Sequence, residues 1–99
     1  MTEAGGTTTV RHLANVGYYG LYEISNDSCD DAETITVPTT SVPEISTTSQ
    51  VIVVGVLNET TENQMPACSA SYSESGRQFT FHESGASSDV VDILFYVRQ

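Results

Sequence analysis

The sequence predicts an all-β protein, a single antiparallel β-sandwich or small β-barrel of about seven strands with a C-terminal meander. Three observations predict it. Several short runs alternate apolar and polar residues, and no window keeps a helical apolar period over the ~10–12 residues a helix would need. Strand-forming residues are abundant, with eleven Val, five Ile, five Tyr and three Phe among 99 residues. Thirteen Thr and twelve Ser supply the polar partners, Thr for the solvent face of strands and Ser for turns.

Taken in order, residues 1–9 are small and polar and read as a flexible N-terminal arm or edge segment ahead of one domain over 10–99. The first clear strand is 16–24. Its even positions Val16, Tyr18, Tyr22 and Ile24 make an apolar face broken by Gly20, with Tyr19 and Leu21 opposite. Residues 26–32 are a loop by composition. Residues 33–38 alternate cleanly with Ile35 and Val37 inward, and Pro38 ends the strand because it cannot donate to a ladder. A polar stretch anchored by Val42 and Ile45 leads into 50–57, which is apolar on both faces, as a central or interfacial strand is. After a turn-like stretch over 58–66, strands at 67–74, 77–83 and 89–98 form the meander, with Phe79 and Phe81 on one face. The tripeptide Glu74-Ser75-Gly76 recurs as Glu83-Ser84-Gly85 at its two turns, where glycine offers the positive φ of a tight hairpin.

Thirteen carboxylates face three arginines and no lysine, a formal net charge of −10 at pH 7. Non-specific nucleic-acid binding needs the opposite sign, and no run approaches the ~18–20 apolar residues of a membrane-spanning helix. The length suits one domain and leaves no room for a separate cofactor domain. Residues 1–6 carry neither a basic nor an apolar signal region, so the chain reads as made in the cytosol. A chain of this size and average composition would hold about six lysines. Their loss with the acids kept resembles proteins of salt-loving organisms, where salt screens self-repulsion. An acidic protein from an ordinary host is the other reading.

Chemistry-bearing residues are few. Ser75, His82 and Asp89 can be assembled into a Ser-His-acid set, but with this many serines and acids such sets arise by chance. Neither serine of the repeated tripeptide has the second glycine of a nucleophile elbow, so no catalytic residue is assigned and the chain reads as non-enzymatic. Asp27, Asp30, Asp31 and Glu33 either bind a hard cation such as Ca²⁺, the one cofactor considered, or are solvated charge. Cys29 and Cys68 either pair or remain separate thiols, Cys68 in a strand and Cys29 in a polar loop. Asn26-Asp27-Ser28 and Asn58-Glu59-Thr60 match the glycosylation acceptor pattern. Tyr18, Tyr19 and Tyr22, with Phe95 and Tyr96 of the last strand, are the candidate interface residues, since tyrosine joins an apolar body to a wet edge. The alternative is a sandwich core with tyrosines at its rim.

The stretches 33–38, 50–57, 75–81 and 89–98 follow one another as a Thr-Ile-Thr-Val-Pro strand, an apolar strand, a Ser-Gly hairpin into Phe79-Thr80-Phe81, and an apolar final strand. This arrangement resembles small β-sandwich virion proteins of tailed viruses of bacteria and archaea. The resemblance implies a non-enzymatic structural subunit, a capsid decoration or cement protein forming homo-oligomers and contacting capsid or tail proteins. It also implies assembly in the host cytoplasm and residence on the virion surface, with a halophilic archaeal host suggested by the charge. The alternative is a tail or fibre-type module that contacts a host receptor or glycan; an adhesin-like domain ranks third. Neither nucleic acid nor membrane insertion is expected. On the salt-loving reading, the melting temperature rises steeply from low to molar NaCl in a calorimetric scan. A flat profile would remove that reading.

Overall fold

The structure, a computed structural model, describes residues 2–38, 51–73 and 76–98. Among these it has eight strands: β1 Thr8–Val16, β2 Tyr19–Cys29, β3 Thr34–Thr36, β4 Val51–Asn58, β5 Asn63–Gln64, β6 Ser69–Ser73, β7 Gln78–His82 and β8 Asp89–Arg98. Two antiparallel sheets result, one ordered β1-β2-β8-β4-β5 and the other β3-β7-β6, and they pack as a small sandwich. The expected all-β fold is therefore present. Val42 and Ile45 lie outside the described residues.

β8 is the hub of the larger sheet. It pairs with β2 from Tyr19↔Arg98 to Cys29↔Asp89, and with β4 from Val51↔Val97 to Asn58↔Val91. Alternation along the strand sends Val91, Ile93, Phe95 and Val97 into the core and leaves Asp92, Leu94 and Tyr96 half-buried on the outer face. Tyr22 and Ile24 of β2 and Val56 of β4 extend the inner row. Ile35, Phe79 and Phe81 answer from the smaller sheet. Phe79 and Phe95 meet between the sheets with ring centroids 4.8 Å apart, and Tyr22 and Tyr72 continue the ring series at 5.7 Å from Phe95 and 5.0 Å from Phe79.

The structure departs from the sequence reading at four places. The strand expected over 16–24 is split, because Gly17 (φ +59°) and Tyr18 form a two-residue hairpin joining β1 to β2. Glycine at the first loop position suits the twist of a II′ turn. The loop expected from Asn26 is half strand. β2 runs on to Cys29 through a bulge between Asn26 and Cys29 and holds its place by pairing with β8. The arm expected at 1–9 is docked at Glu3 and Ala4: Ala4 N donates to Thr34 O (2.8 Å), and Glu3 accepts from Thr34 Oγ1, Thr36 Oγ1 and Thr36 N. A Cβ on Gly6 would collide with Asp27 Oδ1 and with Ser28 N, so glycine is needed where the segment crosses β2.

The meander holds only for the β6–β7 hairpin. β8 crosses to the larger sheet and lies between β2 and β4, so both its edges are hydrogen-bonded, one face packs in the core and the other stays on the outside of the sheet. Gly85 (φ +85°) and Ser88 (φ +51°) turn the connection. Asp31 Oδ1 accepts from Glu83 N (3.0 Å), and Asp30 Oδ1 accepts from Ser88 N (2.6 Å). Of the repeated tripeptide, Glu74 and Ser75 lie outside the described residues; among the described residues of the β6–β7 turn Arg77 (φ +51°), not Gly76, is left-handed.

Phe79→Ala should cost about 3–5 kcal/mol by opening a cavity at the inter-sheet ring contact. Leu13→Ala, at an exposed position in β1, should stay within about 0.5 kcal/mol. Urea titration of both variants measures the difference.

Candidate interaction face

The outer face of the larger sheet is built from the positions the core does not use. Outward residues are Ala14 and Val16 on β1, Tyr19, Leu21 and Glu23 on β2, Tyr96, Leu94 and Asp92 on β8, and Ile52, Gly55 and Leu57 on β4. Register sets their neighbours: Leu21 and Ile52 flank Tyr96, Glu23 and Gly55 flank Leu94, and Leu57 stands beside Asp92. Val54 is the extra residue of a β4 bulge and is 46% exposed, as is Ile52. Two shallow grooves cut the face. One, of about 290 Å³, is lined by Val16, Tyr19, Ile52 and Tyr96. The other, of about 270 Å³, lies over Gly55 between Leu57 and Leu94, with Glu23, Asp92 and Gln64 at its rim.

At one end of the face the rings of Tyr19 and Tyr96 meet edge to face at 5.9 Å. The Arg98 guanidinium lies over both Tyr18 (5.6 Å) and Tyr19 (5.8 Å), a cation–π clamp that holds the cation at the surface. The other end is acidic. Burial pushes the Asp92 carboxyl up to about 7, helped by a hydrogen bond to Glu59 and by the charges of Glu59 and Glu23, while Arg11 opposes the rise.

Of the candidate interface residues, the structure brings Tyr18, Tyr19 and Tyr96 together at the Arg98 end. Tyr22 and Phe95 point the other way, 3% and 0% exposed, and belong to the core. Strand parity decides this, because Tyr22 and Phe95 share their faces with Ile24 and Ile93. Arg98, Leu21, Ile52, Leu57 and Leu94 were missed as members of the face. The two-sided apolar pattern of 50–57 and 89–98 carries the signal for Ile52, Leu57 and Leu94, and the position of Leu21 opposite the apolar face of 16–24 carries its own; apolar patterning gives none for Arg98.

The four carboxylates considered for Ca²⁺ do not converge. Asp27 accepts from Thr7 N, Asp30 from Ser88 N, Asp31 from Glu83 N and Glu33 from Asp30 N, each at 2.6–3.0 Å, so each closes a different stretch of backbone. Among the described residues no three His, Cys, Asp or Glu gather as a metal cluster. Cys29 and Cys68 are free and unpaired with each other. Cys29 sits in β2, where burial and then the charges of Glu33, Asp30, Glu3 and Asp89 push its thiol up to about 12. Cys68 precedes β6 and donates towards Val56 O and Asn63 O, with its thiol also raised by burial and by Glu83. Both are poor nucleophiles there.

Both glycosylation-pattern asparagines are inside. Asn26, 1% exposed, donates to Thr8 Oγ1 (3.1 Å) and accepts from Ser28 N. Asn58, 0% exposed, donates to Glu83 Oε1 (3.1 Å) and Asp89 Oδ2 (2.9 Å) and accepts from Thr60 N and Thr61 N. Asp89 is thereby committed to Asn58. His82 instead meets Ser71 Oγ at 3.4 Å at an exposed position. Compared with family models, curated proteins and solved structures, the chain matches none.

Asp92 makes the face a source of pH dependence. Its folded-state pKa lies above the ordinary 3.8, so between pH ~4 and ~7 Asp92 keeps a proton in the folded protein that it has lost in the unfolded chain. Stability should therefore fall as pH rises through that window, and Asp92→Asn should flatten the slope. Urea midpoints at half-unit pH steps measure both.

Proposed function

We propose that this protein is a non-enzymatic structural subunit of a virion, of the capsid decoration type, which attaches to neighbouring proteins through the outer face of its larger sheet. The observation that carries the reading is the run of Val16, Tyr19, Leu21, Ile52, Leu94 and Tyr96 across four strands of a sheet whose other side already forms the core. An apolar, tyrosine-bearing face on so small a domain is the kind of surface a partner covers. The resemblance of the strand and hairpin pattern to small virion proteins supplies the virion setting. The acidic coat supports a salt-rich one.

The chemistry fits such a role. Both thiols are buried with raised pKa values, the loop carboxylates hold backbone, and Asp89 is bound to Asn58. A decoration subunit works by repetition under symmetry and needs contact surface more than reactive groups.

Gradient sedimentation at molar salt with empty capsids of the virus carrying the gene tests the proposal. Wild-type protein should travel with the capsids, and Ile52→Glu should remain at the top of the gradient while keeping its strand-type circular dichroism. A wild-type chain that stays off capsids but binds host-cell surfaces or a glycan array would replace this reading with the fibre-type one.

A further inference from the structure

The outer face is complementary to itself. Along β8 its outward positions run Arg98, Tyr96, Leu94, Asp92, spanning roughly 20 Å at ~3.3 Å per residue. The first end is cationic and aromatic, with Arg98 held over Tyr18 and Tyr19. The middle is apolar, and the last end is acidic through Asp92, Glu59 and Glu23, with Arg11 as the one cation beside them. In a chain with no lysine, the cations available to meet that acidic end lie mainly on this same face, because the third arginine, Arg77, sits in the β6–β7 turn of the other sheet.

Two copies can lay these faces together about a two-fold axis in the plane between them. An axis along β8 sets Arg98 over Arg98 and Asp92 over Asp92, and like charges oppose it. An axis across β8 near residue 95 runs the two β8 strands antiparallel. Arg98 of each copy then lies over Asp92 and Glu59 of the other, and the Tyr96 and Leu94 rows cover one another. Sheets packed face to face cross at about 30°. At ~10 Å from the pivot that displaces the charged ends by about 5 Å, within reach of an arginine side chain. The geometry points to a two-fold homodimer in which the outer faces pack with β8 antiparallel and Arg98 meets the Asp92–Glu59 pair twice. This pairing rests on the outer face being a contact surface and names a second copy of the chain as its occupant.

The pair must form against a net charge of −10 on each copy, so it is measured where salt shortens the Debye length to ~3 Å, at about 1 M NaCl. Sedimentation velocity from 5 to 200 µM gives the dissociation constant for five proteins: wild type, Arg98→Glu, Asp92→Arg, the double swap and Ile52→Glu. A wild-type dimer is expected. Arg98→Glu should weaken it about tenfold or more, since each substitution acts twice under the symmetry. Asp92→Arg should weaken it similarly although it reduces the negative charge on each copy by two, whereas simple repulsion between acidic bodies predicts tightening. The double swap has the wild-type net charge and should return the dissociation constant to within about threefold of wild type. Circular dichroism of each variant confirms folding, and rescue by the double swap shows that neither single change acts by unfolding.

A monomeric wild type, a trimer or pentamer, or no rescue by the double swap would overturn the pairing. A monomer that still co-sediments with capsids through Ile52 would overturn it while leaving the outer face as the capsid contact. A dimer unaffected by Ile52→Glu would place the interface elsewhere and overturn it outright.

Discussion

The contact between Phe95 and Phe79, 4.8 Å from ring to ring, is the constraint on which the rest of the structure depends. It joins the hub strand of one sheet to the middle strand of the other and fixes which side of β8 is inside. Once Phe95 is inward, parity places Tyr96 and Leu94 outward with no further choice. The same step turns Leu21 and Ile52, their partners on β2 and β4, to the outer face. A core of three phenylalanines in 99 residues is small, and the ring series through Tyr22 and Tyr72 lengthens it across both sheets. The outer face is thus a direct result of how the core is filled.

The acids at the far end of the sandwich do a different job. Asp30 and Asp31 bond to the backbone of the β7–β8 connection, Glu83 and Asp89 are bridged by the Asn58 amide, and Glu3 ties the first residues to β3. Charged acceptors on backbone N–H groups make stronger hydrogen bonds than neutral ones. This lets a short loop carry the chain from one sheet to the other. Much of the acidity around residues 27–33 therefore serves loop closure, and the same bonds account for those carboxylates without a shared ligand. Glu59, Glu62 and Asp31 remain exposed and contribute to the acidic coat.

How much of this was legible in the sequence depended on the range of the interaction. β3 and β7 were readable because Ile35 and Val37, and Phe79 and Phe81, obey a period of two that strand geometry imposes locally, and β4 and β8 because short runs apolar on both faces suit central strands. The hairpin at Gly17 was hidden because Val16, Tyr18 and Tyr22 continue an alternating pattern across a turn. The crossing of β8 was hidden because it depends on Asp30 and Asp31, more than fifty residues away in sequence. Parity with Ile24 and Ile93 places Tyr22 and Phe95 inside, whereas ring type alone does not distinguish them from Tyr19 and Tyr96 on the outer face. The Asp92–Glu59 pair needed the β4–β8 register, which the Val54 bulge shifts by one residue.

The distribution of the three arginines ties the charge to the face. An unrelieved acidic surface repels copies of itself in every orientation, which keeps a small β protein with an exposed nine-residue edge strand such as β1 from pairing at random. The bulge between His12 and Ala14 irregularises that same edge. Two of the three arginines are placed on the outer face, where Arg11 lies opposite Glu23 and Arg98 caps the tyrosines, while Arg77 sits in the β6–β7 turn of the smaller sheet. In the proposed pairing, repulsion elsewhere and complementarity here would act together: the coat would disfavour wrong orientations, and the few positive groups would select among those that remain. Under that proposal the scarcity of basic residues would itself serve specificity. A lysine on the outer surface of the smaller sheet would offer the acidic coat a second place to bind, and the chain has none.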